Sequence, residues 1–231
     1  MMEYLTSSLY FGLVLTIGIY VLAVIINKKW KVSLTSPLLL ATVGVIAFLL
    51  LFDIPYSTYQ SSGKYLYYFL VPATVCFAIP VYKQIKLISK HKWTVIISIL
   101  FGGAVSVTTV VLLCWAFGLG DVIRNSMAAV SVTAPIAVGI TEELGGLIGI
   151  AAVMSILTGI LGNAVGKQVS KMLGLKSAIA RGLAIGTSSH AAGTARALEM
   201  GPVEGAMASL SIVIAGLTIT ILAPLILWLF G

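Results

Sequence analysis

Long apolar runs without a charged side chain recur along this chain: Leu9–Ile26, Pro37–Phe52, Tyr65–Tyr82, Val95–Leu119, Leu147–Val165 and Ala206–Phe230. A hydrocarbon slab needs about 20 apolar residues to be crossed by a helix. Inside it every backbone N–H and C=O must find a partner within the protein. Uninterrupted apolar runs of this length, without strand-like alternation, therefore predict an all-α polytopic membrane protein. The spacing allows about seven to eight membrane segments in a single membrane domain, 1–231, with no room for a sizeable soluble one. Composition agrees: 59% of residues are hydrophobic and 9% are charged, against roughly 25% charged in soluble domains.

The net charge of +7 does not point to nucleic acid, because the basic residues stand in short loops between apolar runs. Eleven of the fourteen Lys and Arg residues fall at 28–31, 83–92 and 167–181. The excess of basic residues marks cytoplasmic loops, so those three loops are expected inside and the N-terminus outside. Cys76 and Cys114 both lie in apolar runs, where cysteine behaves as a small hydrophobe. The opening Met1-Met2-Glu3-Tyr4 lacks the basic n-region of a signal peptide, so the first run is read as a span.

Ser126–Ile140 conflicts with this orientation. If it crosses fully, the basic 167–181 loop lands outside. The conflict vanishes if Ser126–Glu143 enters and leaves on one face, with Thr133-Ala134-Pro135 supplying a break that protein or water must line. That re-entrant path is favoured.

Arg181–Glu199 is the other anomaly. It lies between apolar runs yet carries Gly186, Thr187, Ser188, Ser189, His190, Gly193, Thr194 and Arg196. Polar and ionisable groups at such depth mark a site facing protein or water. Here it is expected to enter from the cytoplasm and leave outside, broken between Gly186 and Gly193. Tyr65–Tyr82 holds Pro72 and Pro80 and so cannot be one uninterrupted helix. Two interrupted segments running in opposite directions suggest an inverted-repeat transporter with a midplane site, one repeat at about 5–119 and the other at about 121–231.

The candidate substrate-binding residues are Gly186, Thr187, Ser188, Ser189, His190, Gly193 and Thr194, with Thr133, Pro135, Pro72 and Thr74 at the other breaks. A break exposes backbone N–H groups at a half-helix N-terminus, a ready anion site. Hydroxyls and an imidazole able to carry a proton would complete a pocket for a small carboxylate. Arg196 and Glu199 can pair at i, i+3. With Asn163 and Glu142 they are candidates for support of the site or for ion coupling. Adjacent Ser189 and His190 point about 100° apart on a helix and make no catalytic dyad. No P-loop, HExxH or metal-ligand cluster occurs, so no enzyme, metal or cofactor is expected. Small runs such as Gly102-Gly103-Ala104 permit close helix contact within a chain or in a homo-oligomer.

The segment A-R-G-L-A-I-G-T-S-S-H-A-A-G-T-A-R-A, 180–197, resembles the signature of the LrgB/CidB family of bacterial membrane proteins. Y-F-L-V-P-A-T-V-C-F-A-I-P (68–80), S-V-T-A-P-I-A (131–137) and T-G-I-L-G (158–162) resemble its other blocks, in the same order. The family block usually reads P-K-S-V-T-T-P-I-A. Ala129, Val130 and Ala134 depart from it here, so no role for a lysine carries over. The resemblance implies a bacterial cell membrane location and a smaller holin-like partner of the LrgA/CidA type. It implies either transport of a small monocarboxylate (pyruvate, lactate or glycolate) or antiholin-like control of murein hydrolase activity and lysis.

Overall fold

The computed structural model describes residues 8, 10–30 and 36–230, the side chains of Trp30, Tyr67, Leu70, Val71 and Thr74 excepted. The N-terminus, whose side of the membrane the charges predict, lies outside the described residues. Every regular element among them is helical. Among the described residues four helices are long and apolar enough to cross a membrane, at 11–29, 92–116, 148–172 and 202–230, and Pro37–Leu51 is a shorter apolar helix. The chain divides into two compact units, before and after the Phe77–Ala78 junction.

The first unit contains α1 (Phe11–Trp30), α2 (Pro37–Leu51), α3 (Tyr56–Gly63), a 3-10 stretch (Lys64–Phe69) and α4 (Leu70–Cys76). Pro37 opens α2 just after its N-cap Ser36, where the missing N–H has no intrahelical partner to lose. Two bonds fasten α3 to the start of α1. The Gly12 N–H donates to Ser62 Oγ at 2.6 Å, and the Thr16 and Tyr59 hydroxyls pair at 2.8 Å. The interruption expected in 65–82 is present, and its form follows from proline. Pro72 and Pro80 each sit in the first turn of a new short helix, α4 and α5 (Ala78–Lys83), with a turn at Phe77 between them.

The second unit continues from α5 through α6 (Ile85–Lys90), α7 (Lys92–Ala116), α8 (Asp121–Met127), α9 (Ala134–Glu143), α10 (Ile148–Met172), α11 (Ala178–Met200) and α12 (Pro202–Phe230). Two apolar clusters define its ends. Ile88, Val95, Ile99, Leu183 and Met207 pack together where α7 and α12 begin. Val111, Ala129, Ala137, Ala151 and Ile226 pack together where α7 and α12 finish and α10 starts. The helices α7, α10 and α12 therefore alternate in direction. Segments 83–92 and 167–181 share the first end, which carries the lysines.

Two helical hairpins are inserted among these three helices, one from each end. The first consists of α8 and α9. Its feet meet, because Asn125 Nδ2 donates to the Leu144 carbonyl at 2.7 Å and the Leu147 N–H to Ser126 Oγ at 2.7 Å. Gly146 is needed there, since a Cβ would lie 2.8 Å from the Ser126 nitrogen. Ten residues of α9 reach about 15 Å, half a bilayer.

The second hairpin corrects the expectation that 181–199 crosses from one face to the other. Ser189 (φ −136°, ψ 16°) and His190 (φ 39°, ψ −134°) leave helical geometry in the middle of α11, and the chain folds back there. Along α10, Gly166 faces Ile185, Gly162 faces Ser189 and Gly159 faces His190. Asn163 then bonds the carbonyl of Ala192, and Arg196 bonds the carbonyl of Asn163. Both halves of α11 thus lie along the same stretch of α10, in opposite directions. Arg181 at the foot of the first half pairs with Glu204, just beyond the second. A continuous 23-residue helix would hold those feet about 30 Å or more apart. Three glycines made the reversal possible: Gly182 and Gly186 seat the first half on Glu204 and Ala208 of α12, and Gly193 clears Ile185.

Candidate functional site

The two hairpin tips meet at Ser155, about a third of the way along α10. Its hydroxyl donates to the Val132 carbonyl in the first tip. Its own carbonyl lies 2.9 Å from His190 Nε2 in the second. A carbonyl only accepts, so Nε2 carries the proton of that bond and Nδ1 is the basic nitrogen of the neutral ring. Ser155 is fully buried, and His190 and Ser189 are nearly so. The α10 glycines form the floor: a Cβ at Gly159 would stand 2.6 Å from His190 Cε1, and one at Gly162 would overlap the Ser189 side chain. Ser131 in the first tip pairs with Ser106 of α7.

Both return helices start at this point. Thr133 is the N-cap of α9, extended (φ −61°, ψ 146°), and its hydroxyl makes no capping bond. Pro135 follows in the first turn, where proline is tolerated. In the second hairpin the return helix, 191–200, starts beside His190. Thr194 Oγ1 donates to the His190 carbonyl at 2.8 Å and holds the strained residue in place. Two positive helix ends thus approach Ser155 from opposite ends of the unit, among hydroxyls and one imidazole. The acids of this unit stand away from the tips, at the ends of elements. Asp121 pairs with Arg124 at 3.1 Å, Glu199 with Arg196 at 2.7 Å, and Glu204 with Arg181. Among the described residues no three His, Cys, Asp or Glu side chains gather as a metal would require.

Most of the residues singled out from the sequence come together here. Ser189, His190, Gly193 and Thr194 form the second tip and its support, and Thr133 and Pro135 the first. Thr187 is buried and packs on Gly102 of α7. Ser188 is exposed and its hydroxyl lies 3.1 Å from that of Ser189. Gly186 serves packing on α12. Asn163 is second-hairpin support through Ala192, at 2.8 Å. Arg196 and Glu199 pair as expected, on the return helix and therefore on the way to the lysine-rich end, not the outer rim. Glu142 is exposed at the foot of the first hairpin, the length of α9 away from its tip. Pro72 is exposed within the first unit, and Thr74 belongs to the same short helix, its side chain outside the described set. Within the second unit, the element that opposes the second hairpin at Ser155 is α8–α9.

Three residues were not singled out from the sequence: Ser155, Ser106 and Glu204. Ser155 had a legible signal, since Ser155, Gly159, Gly162 and Gly166 recur at helical spacing and mark one close-packing face. Glu204 had none, because its partner Arg181 is far from it along any unbroken helix. The pair also ties down the preceding loop, with Arg181 donating to the carbonyls of Leu175 at 3.2 Å and Lys176 at 2.7 Å.

Comparison with known proteins bears on this arrangement of signature segments. No solved structure matches the chain. The antiholin-like protein LrgB of Bacillus subtilis (strain 168) is 37% identical over 98% of both chains. Its namesake in Bacillus mycoides (strain KBAB4) is 35% identical over 98% of this chain and 99% of its own. The model of the LrgB-like family matches residues 16–229, a range that includes both hairpins and the helix on which they meet. The chain belongs to the LrgB-like family.

Proposed function

We propose that this protein is a membrane transporter or facilitator for a small monocarboxylate, bound where the two hairpin tips converge on Ser155. One observation carries the reading: two half-helix N-termini point at one buried, hydroxyl-rich spot from opposite ends, with the unit's acidic side chains held elsewhere. A cation site would need carboxylates or freed carbonyls. A small anion is favoured by helix N-termini and by the serine and threonine hydroxyls. The order hairpin, helix, hairpin, helix (121–172, then 178–230) repeats with reversed direction, as in inverted-repeat transporters with midplane sites. The basic 83–92 and 167–181 segments at one end favour placing that end in the cytoplasm. In this reading Ser188, Ser189, His190 and Thr133 contact substrate, and a smaller LrgA/CidA-type membrane protein acts with the chain.

Uptake of labelled pyruvate, lactate or glycolate into proteoliposomes tests it. Flux should saturate and collapse in His190→Ala and in Ser188→Ala. A second reading, lysis control through a partner, takes its support from the antiholin-like names of the relatives. It expects no saturable flux, and tolerance of alanine at 187–190.

A further inference from the structure

A groove of about 430 Å³ runs between α7 and the outgoing half of α11. At its shallow end is Leu175, in the loop that Arg181 ties to the foot of the second hairpin. At its deep end are Thr187, Ser188 and Ser106, the last bonded to Ser131 in the first tip. Between these ends Ser98, Gly102 and Val105 of α7 face Leu183 and Ala184 of α11. One step round α7 the character changes: Ile97, Leu100, Phe101 and Leu112 are exposed and bulky, as lipid-facing residues are. Gly102 sets the width of the groove, since a Cβ there would stand 3.1 Å from Thr187 Cγ2.

The other side of the tips is different. Ala128, Ala129 and Val132 of the first hairpin are at most 2% exposed, packed against Val107, Val111, Ile219 and Ala223. An apolar plug therefore separates Ser155 from the end that lacks the lysines, while hydroxyls reach back from the tips towards the lysine-rich end.

We infer that this groove is the water-filled access path to the Ser155 site, and that the structure is the state open to the lysine-rich face, with the first hairpin as the closed gate. The groove links the foot of the second hairpin, at the lysine-rich end, to the hydroxyls of Thr187, Ser188 and Ser106 beside the tips, whereas packed apolar side chains close the other side. The inference rests on the transport reading, and its test needs no flux.

In a background with Cys76→Ser and Cys114→Ser, single cysteines replace Ala184 and, separately, Ser98, with Ile97→Cys as the lipid-facing control and Ala129→Cys as the control behind the plug. A membrane-impermeant trimethylammonium thiosulfonate is added to right-side-out and to inverted vesicles. Because only the hydrated thiolate reacts, Ala184→Cys and Ser98→Cys should label at least about 10-fold faster than Ile97→Cys. They should do so only from the face carrying the lysine-rich loops, and Ala129→Cys should not label. Labelling no faster than Ile97→Cys would mean that lipid fills the groove; labelling from the opposite face would mean that the gates are reversed. Either result overturns the inference. Sided labelling without saturable uptake would leave the path standing and remove the transport reading instead.

Discussion

Adding one methyl group at Gly162 separates the hairpin fold from a merely kinked span. A Cβ there would overlap the Cβ and Oγ of Ser189, whereas its distance to the Ser189 Cα would be 3.6 Å, ordinary van der Waals contact. The obstruction is thus one side chain and not the backbone. Forcing a methyl group into a filled contact costs about 1–3 kcal/mol, and each kcal/mol shifts the melting temperature of a chain this size by about 2–4 °C. Gly162→Ala should therefore melt about 2–12 °C lower in detergent and should lose substrate flux, because the second tip is pushed off its floor. Ser189→Gly removes the atoms that collide and leaves the 3.6 Å contact. The double variant Gly162→Ala/Ser189→Gly should recover most of the loss, a coupling of about 1–3 kcal/mol in a double-mutant cycle. Differential melting of the four proteins measures it. Parental stability in Gly162→Ala, or simple additivity of the two changes, would refute the packing of the tip on α10.

Two further outcomes follow from the same site. His190 has φ 39°, a conformation that costs a residue with a Cβ about 1–2 kcal/mol, so His190→Gly should melt higher than His190→Ala by about that amount although both lose uptake; equal melting would argue against the reversal at 189–190. Glu204→Gln leaves Arg181 without its counter-charge and should destabilise the protein by about 1–3 kcal/mol, less than the ~3–5 of a fully buried pair because the Arg181 side chain is 28% exposed. Partial recovery in Arg181→Gln/Glu204→Gln, read by melting, would confirm that the pair clamps the feet of the second hairpin.

The residue pattern alone determined that the chain is helical and membrane-embedded, where its long apolar helices lie, and that 181–199 is too polar to face lipid. Those conclusions depend on local quantities, namely run length, charge placement and proline position, each of which acts over a turn or two of helix. It also placed a break within Gly186–Gly193, and His190 at depth. The return of the chain at that break was not legible, because a helix that crosses and one that folds back have the same local composition up to the turn. What decides between them is distant: Gly159 and Gly162 on α10 receive the tip, Gly182 and Gly186 seat the first half on α12, and Glu204 waits for Arg181. The meeting of the two hairpin tips was not legible for the same reason. Thr133 and His190 are 57 positions apart in the chain, and only tertiary packing brings their helix ends to the one buried serine that bonds both tips.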